Sequence, residues 1–262
     1  LLEEVSHIRK SGLTFAVETP DTLWQNRVNK KVPVDKVREI LQEAKRKGCN
    51  MAKFYFMIGL PPRVYAEQEQ ELENMQLGAE PSEQESYEQE SREQESYEQE
   101  SAEETEEIIA YLGDVKKASG FKINANIGTF IPKPHTPYQW SRQLSEEESL
   151  SRIRKIKGAF GRSSVRVAYH SPFISFLEGV ICRGDSRVGD LIVGAYKKGA
   201  RLDAWEEHLS VDIWRSVFEE AEWNVEEETC RAFSEDEKLP WDSVDLGVSK
   251  DYLLHEWERS ST

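Results

Sequence analysis

Strand-like runs and helix-periodic stretches alternate through the first two thirds of this chain, and that alternation is the strongest constraint on its fold. Leu13–Val17 (LTFAV) is a short apolar run with strand character. Val34, Val37, Ile40, Leu41 and Ala44 make an apolar stripe at helical spacing. Asp35 near its start, and Lys45, Arg46, Lys47 and Gly48 at its end, suit the helix dipole and a glycine C-cap. Met51–Leu60 (MAKFYFMIGL) is almost continuously apolar, which predicts a parallel strand buried on both faces, and Pro61-Pro62 stops it. Ile108, Ile109, Tyr111, Leu112 and Val115 predict a helix ending at Gly120, and Phe121–Ile131 alternates like a strand. Pro132–Pro137 predicts a rigid extended loop. Ser145 and Glu148 have the spacing of a capping box, opening a helix to about Phe160, and Val165–Tyr169 is a further strand.

Strands at 13, 51 and 121 alternating with helices at 34, 103 and 145 are successive β-α units. Such units build an α/β fold with a parallel sheet, or part of a barrel. From Ile174 onward the pattern predicts mostly helix, with Trp205, Trp214 and Trp223 as packing anchors. The expected division is therefore a β-α region over 1–160 and a mostly helical extension over 161–262.

Residues 67–101 interrupt the first region. The pentapeptide Glu-Ser-Tyr/Arg-Glu-Gln recurs from Glu85 to Ser101, and a five-residue period drifts around a helix without building an apolar face. Too little surface can be buried there to offset chain entropy, which predicts a disordered or solvated insert. Most of the chain's charge of −15 sits in that region: Glu67–Glu107 holds seventeen Glu and one Arg. The remainder is nearly neutral, so net charge gives no reason to expect nucleic-acid binding. No apolar stretch is long enough to cross a membrane. The opening Leu1-Leu2-Glu3-Glu4 has no features of a signal peptide and resembles the interior of a helix, which predicts that the chain is a piece of a longer protein.

Cys49, Cys182 and Cys230 lie far apart, with no pair at metal-ligand spacing. Free thiols in a reducing cytoplasm are the expectation. His135 and His170 sit beside prolines or turn residues and are expected to be loop histidines. In β-α folds a ligand sits at the carboxyl ends of the strands. Those ends are Glu18-Thr19, Gly59-Leu60-Pro61 and Pro132–Pro137, which points to one ligand site there.

Two stretches carry a resemblance: Phe56-Met57-Ile58-Gly59-Leu60-Pro61, and Phe130-Ile131-Pro132-Lys133-Pro134-His135-Thr136-Pro137-Tyr138-Gln139-Trp140. With Leu177–Val180, Arg183-Gly184-Asp185, Gly199-Ala200-Arg201, Leu239–Asp242 and Gly247–Lys250, they form an ordered series. The series resembles the uncharacterised B12-binding-type family of the radical-SAM (S-adenosylmethionine) superfamily. The resemblance implies the carboxyl-terminal part of a partial (β/α) barrel, beginning just before its fourth strand. In that family a C-x3-C-x2-C loop holds a [4Fe–4S] cluster that binds SAM, and a cobalamin domain often precedes the barrel. This sequence has no such cysteine loop, so no catalytic residue and no metal ligand carries over. The resemblance assigns Ile58 and Gly59 to one side of the SAM adenine, Phe130 and Pro132 to the other, and Glu18 to a polar group of SAM.

The loop after Val17 departs from the family's Pro-Glu-Ala-Gly-Thr stretch: Glu18 is kept, and the glycine and the following arginines are not. Two functional readings follow. One is a fragment or split subunit of a radical-SAM enzyme, inactive alone, whose partner is the missing amino-terminal half or a separate cluster-bearing chain. The alternative is a non-catalytic remnant or partner-binding scaffold. The insert itself yields a prediction: deleting 68–101 should leave the melting temperature nearly unchanged, and a large fall would overturn the reading of it as a dispensable expansion.

Overall fold

The computed structural model describes residues 12–61, 103–161 and 163–261. The helix expected within Leu1–Lys10 and the repeat at 67–101 lie outside the described residues. Among the described residues there are four strands: β1 (Leu13–Glu18), β2 (Met51–Ile58), β3 (Lys122–Thr129) and β4 (Val165–Tyr169). The helices are α1 (Thr22–Arg27), α2 (Val34–Arg46), α3 (103–119), α4 (Glu146–Phe160), α5 (Pro172–Arg183), α6 (Arg187–Lys197), α7 (Val211–Glu219), α8 (Val225–Cys230) and α9 (Lys250–Ser261). They fall into two compact units, each discontinuous in sequence. The first comprises Leu1–Gly128, Leu150–His170 and Glu258–Thr262; the second comprises Thr129–Ser149 and Ser171–Trp257.

The first unit holds a four-stranded sheet in the order β1-β2-β3-β4. The β1–β2 and β3–β4 pairs are parallel, and β2 and β3 start side by side, with the Lys122 N–H 2.8 Å from the Asn50 carbonyl. Parallel strands need crossovers, and right-handed crossovers in an order that never reverses put every crossover helix on the same side. The apolar positions follow that geometry. Phe54, Phe56 and Ile58 of β2 and Ile123, Ala125 and Ile127 of β3 are buried, as are Leu41 and Ala44 of α2, Ile108 and Leu112 of α3, and Ile153 and Ile156 of α4. Tyr111 of α3 meets the rings of Phe54 and Phe56 edge-on, at 6.1 and 5.6 Å between centroids.

The other face differs from the sequence expectation. Residues alternate along β2, and Lys53, Tyr55 and Met57 are only half-buried. The expected burial on both faces of this strand is therefore corrected: a monotonic order gives its second face no crossover helix.

The second unit packs two clusters. One joins Phe173, Phe176, Leu177 and Val180 of α5 to Leu191 and Ala195 of α6 and Trp214 and Val217 of α7. The other joins Trp140, Phe233, Leu239, Trp241 and Leu253. Arg183 is 1% exposed and donates to the carbonyls of Ser141, Thr229 and Arg231, tying three distant segments together. Trp214 is a packing anchor, as expected, but Trp205 is 60% exposed, because its segment forms a surface turn closed by the Trp205 N–H to the Leu202 carbonyl. The Pro132–Pro137 segment is a series of turns and not an extended loop. Its backbone is folded by the Thr136 hydroxyl donating to the Lys133 carbonyl and by the Gln139 side chain accepting from the His135 N–H.

The capping box at α4 forms as its spacing dictates. The Ser145 N–H donates to Glu148 at 2.7 Å and the Glu148 N–H donates to the Ser145 hydroxyl at 3.2 Å. Burial raises the Glu148 carboxyl, but the Ser145 hydrogen bonds and the nearby Arg142 outweigh it and hold the carboxyl below its ordinary value. A depressed folded value stabilises above the unfolded value and is lost as pH falls through the folded one. Ser145→Ala should therefore cost about 1 kcal/mol. Glu148→Gln should flatten the acid limb of the stability–pH curve; both are read from denaturant melts at several pH values.

Candidate functional site

The loop after β1 is held by a buried amide. The β1–β2 register shifts between Ala16 and Glu18, and Glu18 has a φ of 65°. A non-glycine residue there costs roughly 1–2 kcal/mol, so neighbouring bonds must hold it. Glu18 pairs with Lys30, and the Thr19 N–H turns back to the Val17 carbonyl at 2.9 Å. Gln25, 3% exposed, then locks the loop. Its amide donates to the Thr19 carbonyl at 2.8 Å and accepts from the Val32 N–H at 2.9 Å. The Glu18 carboxylate thus has a cation already beside it.

The loop after β2 is held by a carboxylate from a different element. Gly59 has a φ of 80°, which only glycine adopts cheaply, and its N–H donates to Glu104 at 2.9 Å. The Leu60 N–H also hydrogen-bonds Glu104. The other Glu104 oxygen is 2.6 Å from Arg152 of α4, and these side chains are 18% and 10% exposed. Burial pushes the Glu104 carboxyl above its ordinary range, against the pull of the Arg152 charge and of the hydrogen bonds from Arg152, Gly59 and Leu60. One carboxylate therefore ties the end of β2, the start of α3 and the middle of α4. Sequence inspection missed Glu104, because it sits in a run of glutamates and its partner is 48 residues away.

Of the five residues that the resemblance assigns to a cofactor, Glu18, Ile58 and Gly59 stand at the carboxyl ends of adjacent strands of the first unit, with Ile58 fully buried. Phe130 and Pro132 belong to the second unit. Phe130 meets Tyr138 edge-on at 5.9 Å, Tyr138 meets Trp257 in the same way at 6.0 Å, and Pro132 is buried. Thr129, the last residue of β3, has a buried hydroxyl with no hydrogen-bond partner.

The three cysteines are free thiols, and burial pushes Cys230 up to about 12. Among the described residues no group of three His, Cys, Asp or Glu side chains could hold a metal ion. No helix among them is long and apolar enough to cross a membrane.

The second unit also has a cavity of about 390 Å³, where Arg183-Gly184-Asp185 meets Leu239-Pro240 across Trp223 and Phe233. Two of its arginines are answered locally. Arg187 bonds Asp185 at 3.0 Å and lies 4.5 Å over the Trp223 ring, and Arg231 bonds Glu237 at 2.6 Å.

No protein-family model matches the chain, and no solved structure matches it. It is 22% identical over 223 residues to the uncharacterized protein MJ0966 of Methanocaldococcus jannaschii, a match taking in 80% of this chain and 40% of the relative. The chain thus spans less than half the length of the curated relative it matches.

Removing the Glu104 carboxylate should be costly, since it leaves Arg152 and two main-chain N–H groups without their partner. Glu104→Ala is expected to lose about 3 kcal/mol of stability. Adding Arg152→Met should restore part of that loss, because the second change removes the stranded charge. Additive losses in the two single variants and the double variant would show that the pair is not coupled.

Proposed function

We propose that this chain is the carboxyl-terminal part of a radical-SAM-type partial (β/α) barrel with its extension, working as one piece of a SAM-dependent enzyme. The cluster-bearing strands would come from elsewhere in a longer polypeptide or from a second chain. The observation that carries this reading is the strand order. A doubly wound sheet reverses direction at a switch point and puts helices on both faces. Four strands in unbroken sequence order, with the crossover helices on one side, are what an arc of a barrel requires. Among the described residues β1 and β4 each have one strand neighbour, so the arc has two edges at which further strands could pair. The match to less than half of a longer relative supports the same reading.

SAM suits the strand ends. The buried Ile58 offers an apolar surface, and the backbone at Gly59 has no side chain to obstruct a close approach. In the family this chain resembles, SAM held on a [4Fe–4S] cluster supplies a 5′-deoxyadenosyl radical that takes a hydrogen atom from substrate. The described residues do not suit the cluster: Cys49, Cys182 and Cys230 are far apart in sequence and no metal-holding group includes them. The work of this chain would be to hold SAM and shape the barrel, with the cluster held by other residues.

The test uses the whole chain. Titration calorimetry should show saturable SAM binding, and anaerobic reconstitution of the chain alone should yield no 5′-deoxyadenosine. Absence of SAM binding would sink the assignment. Production of 5′-deoxyadenosine by the chain alone would sink the claim that the cluster is held elsewhere.

A further inference from the structure

The face of the sheet opposite the crossover helices has an unusual composition. Its residues stand in transverse rows fixed by the strand registers. Thr14 lies beside Lys53 and Asn124 beside Arg166; one step along, Ala16 lies beside Tyr55 and Asn126 beside Ala168. The centre of the sheet brings these pairs together: Asn124 reaches Met51 of β2, and the Asn126 amide hydrogen-bonds Tyr55. Lys122 starts β3 on the same face. The face therefore carries Lys53, Lys122 and Arg166 and, apart from Glu18 at the irregular end of β1, which pairs with Lys30, no carboxylate at its described strand positions.

None of these three cations has a carboxylate at ion-pair distance among the described residues. That contrasts with the second unit's cavity, where Arg187 and Arg231 both have acidic partners. The Lys53 ammonium lies 4.7 Å over the Tyr55 ring. Ala16 and Ala168 flank Tyr55 and Asn126 with short side chains.

We propose that this face is a binding site for a small organic anion, with Lys53 as its charge anchor and the Tyr55 hydroxyl and Asn126 amide as its hydrogen-bonding contacts. The site offers a cation, a hydroxyl donor and an amide donor within one patch, the set that a carboxylate or phosphate oxygen pair accepts from. The phenol itself reports the same field. Hydrogen bonding to Lys53, the Lys53 charge and hydrogen bonding to Asn126 together outweigh desolvation and lower its pKa below the ordinary phenol value. An environment that favours negative charge on the Tyr55 oxygen favours it on a ligand oxygen beside it. Combined with the function proposed above, and resting on it for this point alone, the site names the substrate class as anionic. As an anion site it stands on the sheet alone.

The experiment uses the full chain labelled at tyrosine 13Cζ, with the Tyr55 resonance identified by Tyr55→Phe. Inorganic phosphate and succinate are titrated separately, with circular dichroism confirming that each variant is folded. A saturable shift of the Tyr55 resonance is expected with at least one of them. Lys53→Gln should weaken it about tenfold or more, as loss of a charged hydrogen bond predicts, and should move the Tyr55 titration upward. Lys53→Arg should retain binding. A response to phosphate alone, or to succinate alone, supports the site and fixes the headgroup. No saturable response to either, or an equal response in Lys53→Gln, overturns it. SAM binding is measured separately by calorimetry, so the anion site and the SAM assignment fail independently.

Discussion

The handedness of the strand crossovers organises the first unit. Each parallel strand must be reached by a right-handed connection, and the order β1-β2-β3-β4 never reverses. The helices therefore accumulate on one side, and the sheet acquires two chemically different faces. Phe54, Phe56, Ile123 and Ile127 serve the helix side and are buried. Lys53, Tyr55, Asn124 and Asn126 serve the other side, where polar groups keep partial access to water. The strand ends then inherit their positions from the sheet, which is why Glu18 and Gly59 stand on neighbouring strands although 41 residues separate them.

Local signals in the sequence were strong wherever the cause of structure was itself local. The α2 stripe, the glycine after it and the Ser145–Glu148 box are short-range patterns, and each forms the element it predicts. Short-range reading failed where a partner is remote. Nothing near Gln25 shows that its amide would span Thr19 and Val32, and nothing near Glu104 distinguishes it from the glutamates around it. Trp205 shows the converse error, an aromatic residue taken for core that the chain leaves on the surface. The apolar look of Met51–Leu60 hid its alternation, because Tyr55 and Met57 count as apolar while serving the face opposite the crossover helices. Net charge was equally blind: a total of −15 conceals a face on which Lys53, Lys122 and Arg166 have no acidic partner among the described residues.

The second unit depends on a buried cation in place of a sheet. Arg183 is the kind of group that is expensive to desolvate, and burial lowers its pKa to about 10. It remains charged at neutral pH, and three carbonyls from Ser141, Thr229 and Arg231 compensate it. The Phe233 ring lies 4.6 Å from the guanidinium and adds a cation–π contact. A fan of donors on one rigid plane can fix three chain segments at once, which three separate apolar contacts would do with less directional precision. That gives the Arg183-Gly184-Asp185 stretch a structural task apart from any ligand.

Glu104 does for the first unit's strand ends what Arg183 does for the second unit, and it also bears on the insert. The end of β2 at Gly59–Pro61 and the start of α3 at residue 103 bracket the repeat in sequence. Glu104 joins those two points directly, through the N–H groups of Gly59 and Leu60, and Arg152 anchors it from α4. A junction closed by its own hydrogen bonds does not need the intervening residues to set its geometry. The entropic cost of closing a loop rises only with the logarithm of its length, so each doubling of the excursion adds only about 0.6 kcal/mol. A tandem pentapeptide can expand at such a place with little penalty to the sheet, whereas the same expansion inside β2 or α4 would break the register or the Arg152 contact. The repeat thus lies in a connection whose two ends Glu104 already joins.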